Sequence, residues 1–199
     1  MDKIDLILAA EKQFARRVTL GVIVQRPLSV WHYLIPGMFI FDFVRRNHAI
    51  REYTQHFLFP RHLALQAAQR LDAGDEKDSV NRMVRSGIED WLKSLKLDSH
   101  ELALAQKAAV DILIEHYRRL LATEGTDYND LLRHAYPSRK DFQQHVQCLS
   151  ASEKQIDQAL LHLAGGNALL AEKLQTEARQ VEIERKRMME ENWRDEVTK

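Results

Sequence analysis

Backbone breakers are too few and too far apart in this chain for a sheet protein. Seven glycines and four prolines punctuate 199 residues. Alanine, leucine, glutamate, glutamine, lysine and arginine dominate the stretches between them. These side chains lose little rotamer freedom in a helix and stand high in helix propensity. The expected fold is all-α: a multi-helix bundle with an apolar, aromatic N-terminal segment broken by proline and glycine, and a charged helical C-terminal extension. One domain of this length can bury a core without staples. Cys148 is the single cysteine, so no internal disulfide can form.

The breakers also set the expected boundaries. A first helix over about 3–24 carries Ile4, Ile7, Leu8, Phe14, Val18 and Val22 on one stripe. Pro27 disfavours helix at the residue before it, and Pro36-Gly37 interrupts the next segment. A second helix runs from about Met38 to Phe59 and stops at Pro60, and another covers Arg61 to Leu71. The polar run from Asp72 to Ser79 reads as a linker, after which Ser79 caps a helix to about Leu95. Asp98 and Glu101 have capping-box spacing ahead of a long helix to about Thr123, which Gly125 would end in a left-handed conformation. Short helices are expected at about 127–135 and 139–148. Ser150 and Glu153 repeat the capping-box spacing and would open the last helix, bent at Gly165-Gly166-Asn167. The organisation read from this is a basic, aromatic region over 1–71, a linker over 72–79, a helical region over 80–149 and a C-terminal helix over 150–199.

That last helix has two readings. Ile156, Leu160, Leu163, Leu170, Leu174 and Val181 keep a rough heptad seam, which then decays into charged residues. It either packs within the molecule or forms a short coiled coil with a partner. The sparse apolar surface beyond Leu174 leads us to expect that truncation after Leu170 leaves a folded remainder.

Net charge is zero, from 29 basic and 29 acidic residues. With no concentrated basic stripe, nucleic acid is not an expected partner. The charge is nevertheless uneven. Residues 1–70 hold ten Lys/Arg against five acids, a balance of +5, which leaves −5 for residues 71–199. Eight of the fifteen aromatics fall between Trp31 and Phe59, inside the basic part. The run from Val30 to Val44 is too short for a span of about 20 apolar residues and contains His32, Pro36, Gly37 and Asp42. Three readings of this region stay open. It could contact the cytoplasmic face of a membrane as a shallow or re-entrant hairpin, with Arg45 and Arg46 at the headgroups and Trp31, Phe39, Phe41 and Phe43 in the apolar layer. It could dock a protein partner. It could be ordinary core, since Phe39, Phe43, Ile50, Tyr53 and Phe57 lie near helical spacing.

The catalytic inventory is nearly empty. HExxH, CxxC, Glu-x-x-His, GxGxxG, GxxxxGK[ST] and GxSxG are all absent. His145 and Cys148 lie three apart, a spacing that a structural cysteine explains as well as a nucleophile does. His48, Glu52 and His56 share one helical face at i, i+4 and i+8 and could ligate zinc or another divalent ion; a solvated polar face explains them equally. "EHYRRLL" places Tyr117, Leu120 and Leu121 toward a core and Arg118 and Arg119 toward solvent. The expected function is a non-enzymatic interaction or scaffold protein, cytoplasmic and peripheral to the inner membrane face or bound to a membrane complex. A protein partner or a second copy of the chain would be its ligand. The alternative is a soluble helical metal protein or enzyme built on His48, Glu52 and His56. The sequence names no cofactor.

Overall fold

The computed structural model describes the backbone of residues 2–23 and 38–193, and the side chains of residues 2–22 and 50–193. Seven helices and no strand occur among the described residues. They are α1 (Lys3–Ile23), α2 (Met38–Asp72), α3 (Lys77–Ser94), α4 (His100–Ala122), α5 (Tyr128–Ala135), α6 (Arg139–Leu163) and α7 (Ala168–Asn192). The all-α bundle is as expected. No described helix is long and apolar enough to cross a membrane. Trp31 and the breaks at Pro27 and Pro36-Gly37 lie outside the described residues, as do the side chains of Phe39, Phe41, Phe43, Arg45, Arg46 and His48.

Helix α4 is the axle. Leu102, Ala109, Val110, Leu113, Tyr117 and Leu120 are buried along it, and it packs on α2, α3, α5 and α6. Ser99 caps it by accepting from the Leu102 N–H, one residue beyond the expected Asp98. Helix α3 shows the simplest amphipathic logic: Val80, Val84, Ile88 and Leu92, each four apart, are all buried. Burying one such aliphatic side chain stabilises by about 1.5–3 kcal/mol. Gly87 lets this helix approach Leu63, whose side chain would lie 3.1 Å from an added Cβ. Helix α1 buries Ile7, Phe14, Ala15 and Val18 and lies against α2 and α7.

Several expected boundaries differ. Pro60 does not end a helix: α2 runs through it. Leu58, Leu63, Ala64 and Leu65 are buried on both sides of the proline, and tertiary packing outweighs the lost amide donor. Arg61 Nη1 donates to the Phe57 carbonyl in that turn (3.1 Å). The expected linker is a tight turn at Gly74 (φ +91°), and α3 begins at Lys77, before Ser79. Gly125 is not left-handed; it is small because an added Cβ would lie 2.8 Å from the Leu131 nitrogen.

The Ser150/Glu153 box opens nothing. Helix α6 starts after Ser138, whose hydroxyl accepts from the Asp141 N–H, and continues to Leu163, so the expected boundary at 149/150 falls inside it. The Gly165-Gly166 break is real. Both glycines take positive φ, and Asn167 then caps α7 by accepting from the Leu170 N–H. The charged tail packs within the molecule. Val181, Arg185, Met189 and Asn192 of α7 are buried, and Trp193 stacks on Phe142 with centroids 5.2 Å apart.

Candidate functional site

Five helices meet around a chain of paired charges. The Tyr117 hydroxyl of α4 donates to Glu11 of α1 (2.7 Å). Glu11 pairs with Arg61 Nε of α2 at 3.0 Å, the arginine buried and the carboxylate nearly so. Arg61 also lies 3.9 Å from Glu153 of α6, and its guanidinium sits 3.9 Å from the Phe57 ring centroid. Glu153 accepts two parallel bonds from Arg185 of α7, each 2.7 Å. Arg185 donates a third bond to Ser150 (2.8 Å). Ser150 and Glu153, three apart on α6, thus reach across to α7 instead of capping a terminus. Within this lattice two guanidiniums face two carboxylates, so its charge closes to zero.

On one side of the lattice is a cavity of about 1120 Å³ between α2, α3, α4, α6 and α7. Phe57, Trp91, Leu102, Leu149, Leu160 and Leu174 supply apolar wall. Arg61, Arg185 and Glu153 form one polar edge. A second polar edge carries Asp157, Glu177 and Tyr53. Neither Asp157 nor Glu177 forms an ion pair among the described residues. Burial, then the charges of Glu177 and Glu153, push the Asp157 carboxyl up to about 6. Glu177 is raised as well, chiefly by burial. The Tyr53 hydroxyl is raised by burial and by Glu177. It lies close to that carboxylate but makes no hydrogen bond of good geometry.

On the other side lies a nest of rings. His116 and His145 stack with centroids 4.6 Å apart, and His116 Nδ1 lies 2.9 Å from the Tyr136 hydroxyl. Phe142 meets Tyr136 edge-on. A small cavity of about 50 Å³ separates the nest from Arg61 and Arg185. Burial holds both imidazoles neutral. It drives His145 down to about 4, with Arg185 and Arg119 adding to the effect. His116 lies well below its ordinary value through burial and then through His145.

The expected metal ligands fare differently. Glu52 and His56 are exposed on α2, while the His48 side chain is outside the described residues. No group of three or more His, Cys, Asp or Glu able to hold a metal occurs among the described residues. Cys148 is exposed, whereas His145 turns inward to the nest, so the two do not form a nucleophile–base pair. Of the aromatic run, the described members pack inward. Tyr53 and Phe57 stack on each other and Phe57 meets Phe14, while Phe59 stacks on Trp91 at 4.8 Å. Glu11, Arg61, Glu153, Asp157, Glu177 and Arg185 escaped the sequence reading as site residues. The available signal was phase: Arg61 interrupts an apolar run, and Arg185 falls four after Val181 and four before Met189.

No family model, curated protein or solved structure matches this chain.

Proposed function

We propose that the chain is a non-enzymatic helical interaction protein and that the cavity beside the arginine–glutamate lattice is its binding site. The observation that carries this is the cavity itself. It is large and concave, with mostly apolar walls and a few convergent polar groups, which is the usual form of a ligand site. Helix α7 closes one side, and its residues 168–180 include none that is fully buried. A neutral solvatochromic dye such as Nile red tests the reading. It should bind saturably at one per chain with a blue-shifted emission. Ala178→Trp, at an exposed position on the cavity wall, should fill the space and remove most of that signal. Unsaturable binding, or binding indifferent to Ala178→Trp in a folded variant, would refute it.

A second reading rests on the concentration of aromatics and arginines before Ile50. Contact with an anionic membrane through Trp31, Phe39, Phe41 and Phe43 would be supported by Arg45 and Arg46, each basic residue near the surface contributing about 1 kcal/mol. Anionic liposomes should then capture the protein. Arg45→Glu with Arg46→Glu should weaken capture mainly at low salt, and Phe39→Ser with Phe41→Ser at any salt. Protein that stays free of liposomes at low salt removes this reading and leaves the cavity untouched.

A further inference from the structure

The charges lining the cavity are unevenly paired. Arg61 and Arg185 are already committed to Glu11 and Glu153. At the rim, Lys186 pairs with Glu182. That leaves Asp157 on α6 and Glu177 on α7 as carboxylates without a cationic partner, half-buried or more beside apolar wall. Ionised carboxyls in such surroundings are costly unless something positive approaches them. Two further cations at the cavity, Lys154 and Arg179, are exposed to solvent and pair with neither acid among the described residues. Close to Glu177 lies the Tyr53 hydroxyl, buried and without a hydrogen bond of good geometry, which can accept a further hydrogen bond. These acids do not assemble into a group that could hold a metal. A cation suited to this edge must also place an apolar body against Trp91, Leu102 and Leu160.

We propose that the cavity binds an amphiphilic amine: a protonated primary or secondary amine seated against Asp157, Glu177 and Tyr53, with its hydrocarbon part along the apolar wall. The ammonium N–H groups donate to the two carboxylates and to the phenolic oxygen, and such charge-assisted bonds are the strong ones. Anionic amphiphiles are disfavoured at this edge, because the two buried guanidiniums are occupied and the unpaired groups beside the apolar wall are carboxyls, Lys154 and Arg179 being exposed to solvent. The inference rests on the cavity being a binding site at all, and the probes below separate the two ideas.

Three eight-carbon probes share one tail and differ in head charge: octylamine, octanol and octanoate. Calorimetric titration at pH 8, below aggregation of any of them, should give octylamine at least tenfold tighter than octanol, and octanoate weakest. Asp157→Asn with Glu177→Gln should bring octylamine down to the octanol value and leave octanol unchanged. A second measurement avoids those substitutions. Octylamine stays protonated between pH 5 and pH 8, so its advantage over octanol should shrink as the cavity acids take up protons. The charged and titratable groups facing that edge are Glu153, Lys154 and Asp157 from α6, Glu177, Arg179, Glu182, Arg185 and Lys186 from α7, and Tyr53, His56 and Arg61 from α2. The pH series is run on His56→Gln as well, where the loss should persist. Octylamine no tighter than octanol, or octanoate tighter than either, overturns the amine and leaves the cavity as an apolar site. Failure of all three probes to bind overturns both.

Discussion

Asp157 and His145 carry opposite pH signatures. A carboxyl raised from 3.8 to about 6 holds its proton more tightly in the folded chain. Its ionisation therefore costs stability, and the cost grows as pH rises from about 4 through 6. Asp157→Asn should stabilise the protein at pH 7.5 by about 1 kcal/mol, a figure that allows for solvent screening of a half-exposed group, and should be neutral at pH 4. His145 behaves in reverse. Lowered from 6.5 to about 4, it refuses a proton that the unfolded chain accepts. Stability it supports above pH 6.5 is lost as pH falls toward 4. His145→Phe, which keeps a ring against His116 and Phe142, should flatten that acid limb. Urea denaturation at half-unit pH steps measures both, and a variant whose pH profile parallels the wild type would reject its assignment.

Among elements, α7 was the least legible in the sequence. Its second half reads as a charged tail, yet Val181, Arg185, Met189 and Trp193 are all buried. The apolar anchors are widely spaced and one of the inward residues is an arginine, so a hydrophobic count misses the face. Truncation after Leu170 should therefore yield a molten or insoluble chain, since it strips Phe142 of Trp193 and leaves Glu153 without Arg185. Loss of the near-ultraviolet dichroism with helix retained would be the signature. A sharp thermal transition in the truncated chain would show that the helix is dispensable. The same difficulty explains Ser150 and Glu153. Serine and glutamate three apart describe a capping box and also one face of a continuous helix. The cation that decides between them, Arg185, lies 32 residues beyond Glu153. Pro60 was misleading for a similar reason, because the packing that holds α2 through it comes from other helices. What was legible is local: a helix ending near Leu95, the paired glycines, and the inward Tyr117 with outward Arg118 and Arg119.

Across the whole molecule, Glu11, Arg61, Tyr117, Glu153 and Arg185 join α1, α2, α4, α6 and α7. Unfolding in urea should be a single transition, coincident by far-ultraviolet dichroism and tryptophan emission. Arg61→Met alone should cost about 3–5 kcal/mol by stranding Glu11 in the interior. Adding Glu11→Leu to Arg61→Met should recover much of that loss, because a buried ion pair and an apolar pair of similar volume often stabilise about equally. A double variant as unstable as the single would mean that Glu11 was never stranded and that the arginine acts through packing on Phe57 alone.

Where one member of a buried pair cannot be lost cheaply but both can be exchanged together, single-step mutational routes are closed and two-step routes are open. Any chain of common ancestry should then show Glu11 with Arg61, and Glu153 with Arg185, inherited as couples or replaced as couples. A pedigree in which these positions drift independently would be incompatible with the lattice.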